Sequence, residues 1–188
     1  MAPKNKFTKQ DIVQAAFDIA KVEGIDALTI RRIAKQIGSS IAPIYVNFKN
    51  IEEVKEAVVK QAQTVAKELI LEQKSGQPFR DIGIASLKFA REYSVLYRDL
   101  IMKNNEHMKH NKESVAFAVQ QMKQDPILAD FTDETLRSII LKMEIFQTGL
   151  CVMAANHLLP MSFKEEQMIE MLDRAAEDII TAEQVRGK

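Results

Sequence analysis

The sequence predicts an all-α protein, with a small three-helix head at the N-terminus and a larger helical body behind it. Three observations lead there. Apolar residues make up 46% of the 188-residue chain, enough to bury a core without disulfides or metals. Glycine and proline, the residues that interrupt helices, number only 6 and 5. Apolar positions recur at helical spacing through most of the chain, and strand-like alternation is nowhere sustained.

The elements follow in order. Thr8 with Asp11 three positions on is a helix-start signal, and Ile12, Val13, Ala16, Phe17, Ile19 and Ala20 continue one apolar face until Gly24 stops it. Thr29 caps a short second helix in which Ile30, Ile33, Ala34 and Ile37 share a face, and Gly38 ends it. A third short helix is expected from Ser40 as its cap through Phe48, with Ile44 and Phe48 turned inward. Pro43 then falls in its first turn, where a missing N–H removes no helical bond. Asn50 with Glu53 opens a long fourth helix, carrying Ile51, Val54, Val58, Ala62, Val65 and Leu69, which fades at Lys74-Ser75-Gly76. Further helices are expected over roughly 79–93, 95–103, 112–124, 133–158 and 163–182. Breaks fall at Asn104-Asn105, Asp125-Pro126 and Leu159-Pro160, and Ser162 with Glu165 forms another capping box. The functional division is placed at residue 52: 1–52 as head, 53–188 as body, with the helix over 51–74 joining them.

The net charge of zero conceals an asymmetry. Through Ile51 there are 8 basic and 4 acidic residues, leaving 18 basic and 22 acidic to the rest. A basic head on an acidic body suits contact with a polyanion at one end. The lone Cys151 allows no disulfide within the chain and suits a reducing interior as a buried small hydrophobe. With no apolar signal-peptide core and no apolar run of spanning length, the expectation is a soluble, cytoplasmic protein.

Helix, glycine-centred turn and short second helix, braced by a preceding helix, is the arrangement that offers a helix to the DNA major groove. On that helix Ala42, Pro43, Tyr45, Val46 and Asn47 are predicted to face outward. Helix–glycine–helix is common among helical proteins, but here the pattern is wider. Ala27-Leu28-Thr29-Ile30-Arg31-Arg32-Ile33-Ala34, then Gly38-Ser39-Ser40, Ile44-Tyr45, Phe48-Lys49-Asn50 and Glu53, together with Phe17 and Gly24, resemble the TetR family of bacterial transcriptional regulators over about residues 8–60. The rest is similar to that family only in length and helix count.

The resemblance implies a helix-turn-helix (homeodomain-like) head, a C-terminal effector-binding and dimerisation domain, and a homodimer on a palindromic double-stranded operator, usually a repressor released by a small molecule. It implies phosphate contact at Thr29, which also serves as a plain helix cap, and phosphate or base contact at Arg31. Tyr45 and Lys49 would hold the DNA backbone, and Lys6 would follow the groove as an arm. Ser39, Ser40, Ile41, Pro43, Val46 and Asn47 complete the expected DNA surface. Three departures stand out: Ser39 replaces a small aliphatic residue, Ile51 stands where many members have lysine, and Ile41 and Val46 occupy positions often polar in relatives. The last favours reading by apolar contact, for example with thymine methyls.

In the body, Phe89, Tyr93, Met102, Phe117, Met122, Met143, Phe146 and His157 are candidates for an effector pocket, which the Met- and Phe-rich composition predicts to take a small, largely apolar molecule. Ordinary core packing competes for each of them. The last two helices are the candidate dimer interface, through Ile139, Ile140, Gly149, Met153, Ala154, Met171, Leu172 and Ile179, although burial within one chain would use the same residues. Glu106, His107 and His110 sit in a polar stretch and are not read as a metal site, and no cofactor is expected. No nucleophile–base arrangement or phosphate-cradling loop points to an enzyme. The rival reading is a helical adaptor or small-molecule binder that has lost DNA binding.

Overall fold

A computed structural model describes residues 7–102, 112–155, 158–160 and 162–186. Among these, the regular structure is helical throughout: α1 (Lys9–Glu23), a 3-10 turn (Ile25–Ala27), α2 (Ile30–Gln36), α3 (Ala42–Asn47), α4 (Ile51–Gln73), α5 (Pro78–Glu92), α6 (Ser94–Tyr97), a π-helical turn (Arg98–Met102), α7 (Lys112–Met122), α8 (Asp133–Ala155) and α9 (Glu165–Arg186). No helix among the described residues is long and apolar enough to cross a membrane.

The chain divides into two compact units, residues 1–68 with 89–109, and residues 69–88 with 110–188. The division falls inside α4 and α5. In the first unit α1 packs on α2, α3 and α6 around Ile12, Ala16, Phe17, Ile33, Ile44 and Leu96, all nearly or fully buried. The predicted starts of α1, α2 and α4 are present and have the expected chemistry. Thr8 Oγ1 accepts from Asp11 N at 3.2 Å while the Asp11 carboxylate accepts from Thr8 N at 2.8 Å. These bonds to Thr8, backbone first, hold the Asp11 carboxyl below its usual range. Thr29 Oγ1 accepts from Arg32 N at 3.2 Å. At α4, Asn50 Oδ1 accepts from Glu53 N at 3.0 Å and the Glu53 carboxylate accepts from Lys49 N at 2.9 Å.

Gly24 joins α1 to the 3-10 turn at φ 91° and ψ 166°, a backbone conformation open to little else. A second constraint comes from the π-helical turn. There the buried Asp99 accepts from Ile25 N at 2.9 Å, and a Cβ placed on Gly24 would lie 2.4 Å from the same Asp99 Oδ2. Nothing in the local pattern around Gly24 announces a carboxylate from 75 residues further on.

In the second unit α8 packs on both α7 and α9. Its core includes Met122, Leu128, Leu136, Ile139, Met143, Leu150, Cys151 and Leu172. Boundaries move where local chemistry competes. The helix expected over 95–103 is a single α-turn followed by the π-helical turn. α8 is described as far as Ala155, and Leu158 N donates to Met153 O at 2.9 Å. α9 starts after Lys164, not after Ser162. A turn in which Phe163 N donates to Pro160 O at 2.8 Å carries the chain past Ser162, and Gln167 Oε1 then accepts from Lys164 N at 2.8 Å.

Candidate nucleic-acid interface

The exposed side of the first unit is built from α2, the turn after it, and α3. The apolar faces of both helices are spent on the core: Ile33 and Ile44 are fully buried and Phe48 is nearly so. What remains outside α3 is unusual for a solvated helix, because Ile41, Tyr45 and Val46 are 44%, 54% and 67% exposed. Ala42 and Ser40 are also exposed, and Pro43 and Ser39 are half-buried.

Two expectations are corrected here. Helix α3 is six residues long with Ile41 at its N-cap and no side-chain cap, so Ser40 does not cap it. Ser39 Oγ donates to Ser40 O at 2.8 Å, and the helix starts one residue later than expected. Pro43 still falls in the first turn, at the second helical position. Asn47, expected to reach outward, is half-buried and its Nδ2 donates to Pro43 O at 2.8 Å. That bond holds the amide against its own helix.

The cations sort by partner. Arg32 is engaged by Glu23 and also donates to Ala27 O at 3.3 Å. Their hydrogen bond raises the Arg32 pKa and lowers that of Glu23. Arg31, one position earlier, is exposed and makes no ion pair with any described residue. Lys35 shares that state one turn further along α2, on the same side as Arg31. Sequence reasoning passed over Lys35, although its i+4 spacing from Arg31 was the available signal. Lys49 has an 89% exposed side chain, with Nζ a loose 3.8 Å from Glu53. Thr29 is exposed; its oxygen accepts from Arg32 N, so its hydroxyl hydrogen remains available to an acceptor from outside. Lys6 lies outside the described residues.

Residues 12–58 match the family model for bacterial regulatory proteins, tetR family. Over these residues the head is similar to that of tetR-family regulators. No curated protein sequence matches the chain. Among solved structures, the multidrug binding protein EbrR complexed with imidazole is similar at 15% identity, over 89% of this chain and 88% of that one, with a TM-score of 0.60. SmeT, the repressor of the Stenotrophomonas maltophilia multidrug efflux pump SmeDEF, is similar at 16% identity, over 95% and 91%, with a TM-score of 0.60. TetR from Acinetobacter baumannii AYE follows at 14% identity, over 96% and 99%, with a TM-score of 0.57. At these identities the likeness is one of fold, and it covers most of the chain. The matched family is one of DNA-binding regulators rather than enzymes.

In the second unit a cavity of about 290 Å³ opens among α5, α7, α8 and α9. Of the predicted pocket residues whose side chains are described, only Met143 lines it. Phe89 and Tyr93 belong to the first unit, stacked on each other at 5.1 Å between centroids, with Phe17 5.9 Å from Tyr93. Met122 is fully buried core, and Phe117 and Phe146 are half-buried away from the cavity wall. His157 and the side chain of Met102 lie outside what is described, as do Glu106, His107 and His110. The walls come instead from residues passed over for being ordinary: Ile82, Ile84, Ile169 and Ile180, with Gly83 opposite Gln147, whose Nε2 donates to Gly83 O at 3.3 Å.

The proposed dimer residues also divide. Ile139 and Leu172 are buried in the core of their own unit, at 0% and 4% exposure, and cannot meet a second chain. Gly149, Met153 and Met171 are exposed; Ala154 and Ile179 are half-buried, as is Ile140, which lines the cavity. Leu141 and Ile145, 57% and 65% exposed on α8, were missed. Their i, i+4 spacing with Gly149 was legible in the sequence.

Proposed function

We propose that this chain is a homodimeric, sequence-specific regulator that binds a palindromic operator in duplex DNA and represses until a small, predominantly apolar molecule occupies the cavity of its second unit. The observation that supports it most is the exposed surface of α3. A six-residue helix buries Ile44 against the head yet leaves Tyr45, Val46 and its N-cap Ile41 open, together with Arg31 and Lys35, which make no ion pair with any described residue, and the loosely held Lys49. Three large apolar or aromatic side chains clustered on so short a segment form an exposed patch of the kind that marks an interaction surface. A groove with phosphates along its walls and thymine methyls on its floor accommodates both parts.

Thr29, Arg31, Tyr45 and Lys49 act on the backbone, and Ile41, Pro43 and Val46 read bases. Ser39, Ser40 and Asn47 shape the turn and helix that present them. The dimer forms through the exposed stripe of α8, Leu141, Ile145, Gly149 and Met153, with Met171 of α9. It sets the two recognition helices about 34–36 Å apart, one turn of DNA. An effector that binds one spacing better than the other weakens operator binding by roughly 5- to 150-fold. In the cell the protein works in the cytoplasm, where its operator is.

The test is selection of genomic DNA fragments by the purified protein, followed by affinity for the recovered sequence across ionic strength. A recovered palindrome bound with a steep salt dependence supports the reading. Capture of unrelated fragments at equal affinity, or binding indifferent to salt, refutes it. For the effector site, Gly83→Leu is the sharpest variant. Gly83 lines the cavity, and a Cβ there meets nothing within 4 Å, so the backbone accepts a side chain at that wall, and a leucine there is expected to narrow the cavity. Operator binding should survive while release by any effector is lost.

A further inference from the structure

The charges of the cavity specify more about its occupant than its apolar walls do. Among the described residues four carboxylates line it, Asp125, Glu144, Asp173 and Glu177, against a single basic residue, Arg80. The Arg80 charge is already spent: its Nε lies 3.0 Å and 3.1 Å from the two Asp173 oxygens, and its Nη2 donates to Asp173 Oδ2 at 3.1 Å. Asp125 is buried and occupied with its own turn, accepting from Ile127 N at 3.0 Å. Glu144 on α8 and Glu177 on α9 remain, and neither makes a hydrogen bond or ion pair with any described residue.

We propose that the molecule this cavity takes is an amphipathic organic cation, with its apolar body against Ile82, Ile84, Ile140 and Ile169 and its positive group at the Glu144 and Glu177 carboxylates. The inference rests on reading the cavity as the effector site, and it narrows "small and predominantly apolar" to a charge class. An organic anion would have to displace Asp173 from Arg80 beside three further carboxylates. A neutral molecule would gain nothing from the two glutamates. Both glutamates are exposed, so solvent screens them. Each pair is worth a factor of about 1.5 to 5, and the two together about 2- to 25-fold, shrinking as salt is added.

The probes are benzyltrimethylammonium, its uncharged isostere neopentylbenzene, and phenylacetate, titrated by NMR into the full chain, the Glu144→Gln/Glu177→Gln double variant and Gly83→Leu. The expected result is a preference for the ammonium over the isostere that falls by about 2- to 25-fold in the double variant and with salt, no binding of phenylacetate, and loss of binding in Gly83→Leu. Equal binding of cation and isostere, a preference untouched by the double variant, tighter binding of phenylacetate, or binding of none of the three overturns the proposal. Operator affinity measured on the same samples separates this from the effector reading. Ammonium binding that leaves operator affinity unchanged keeps the ligand class and removes the effector role. A neutral molecule that binds equally and releases the operator does the reverse.

Discussion

Replacing Gly24 with alanine should destabilise the first unit by an amount the structure lets us divide into two parts. At φ 91° and ψ 166° an alanine carries backbone strain of about 1–3 kcal/mol. The new Cβ would also sit 2.4 Å from Asp99 Oδ2, so the carboxylate must move and surrender its bond to Ile25 N. Loss of one hydrogen bond to a buried charged group costs about 1.5–3 kcal/mol. The stiffer unfolded chain returns about 0.4–1 kcal/mol. The net expectation is a loss of about 1.5–5.6 kcal/mol, read by urea unfolding followed by circular dichroism at fixed protein concentration. The division is tested in an Asp99→Ala background, where no carboxylate is left to displace. There Gly24→Ala should cost only the backbone strain less the unfolded-chain return, about 0–2.6 kcal/mol, so the two substitutions are non-additive. A Gly24→Ala protein within about 0.5 kcal/mol of wild type would refute the reasoning. Strict additivity with Asp99→Ala would refute the contact between them.

Other expectations follow from the same structure. Lys49→Ala should weaken binding to all DNA sequences similarly and lower the salt slope by about one, since an exposed lysine beside the DNA backbone carries no base information; a loss confined to one sequence would contradict its assigned role. Gly149→Glu should leave the subunit folded, because no atom lies within 4 Å of a Cβ there, while separating the dimer by burying charge at its interface. Sedimentation decides this, and a dimer that survives, or a wild type that is monomeric at micromolar concentration, counts against the proposed surface. The hydrogen bond from Arg32 lowers the pKa of Glu23 from its ordinary 4.5. The pair's stabilisation is therefore complete above about pH 4.5 and is lost as pH falls through the lower folded value. Glu23→Gln should flatten the acid side of the Tm profile, and an unchanged profile would show the pair contributes nothing. Gly83→Ala should stabilise α5 by about 0.5–1 kcal/mol, because a mid-helix glycine is tolerated there without any contact requiring it; a destabilised variant would mean the wall is closed.

The contacts that were legible in the sequence are those made between residues a few positions apart. Thr8 with Asp11, Thr29 with the amide of Arg32, Asn50 with Glu53, and the inward turn of Ile44 and Phe48 all depend on spacing along one helix or one turn, which the order of residues sets directly. The head motif is built almost wholly from such contacts, so most of its exposed residues could be named in advance, apart from Lys35, the amide of Asn47 and the register of α3. Its cap was misplaced because Ser39 bonds to the next carbonyl and the chain turns first. The body could not be resolved in the same way. An apolar helix face says that a residue is buried but not against what. Ile139 and Leu172 could be assigned equally to a partner chain or to their own core, and the packing of α7, α8 and α9 chose the core. Phe89 and Tyr93 matched the composition of a pocket, yet they stack beside Phe17 in the first unit. The cavity itself is a shortfall of packing, lined by a glycine, isoleucines and glutamates with no common sequence signature. Gly24 shows the limit most plainly. The sequence by itself required a glycine to end α1, but only the tertiary structure brought Asp99 within reach of the next amide, because a contact between residues 74 positions apart depends on how every helix between them packs.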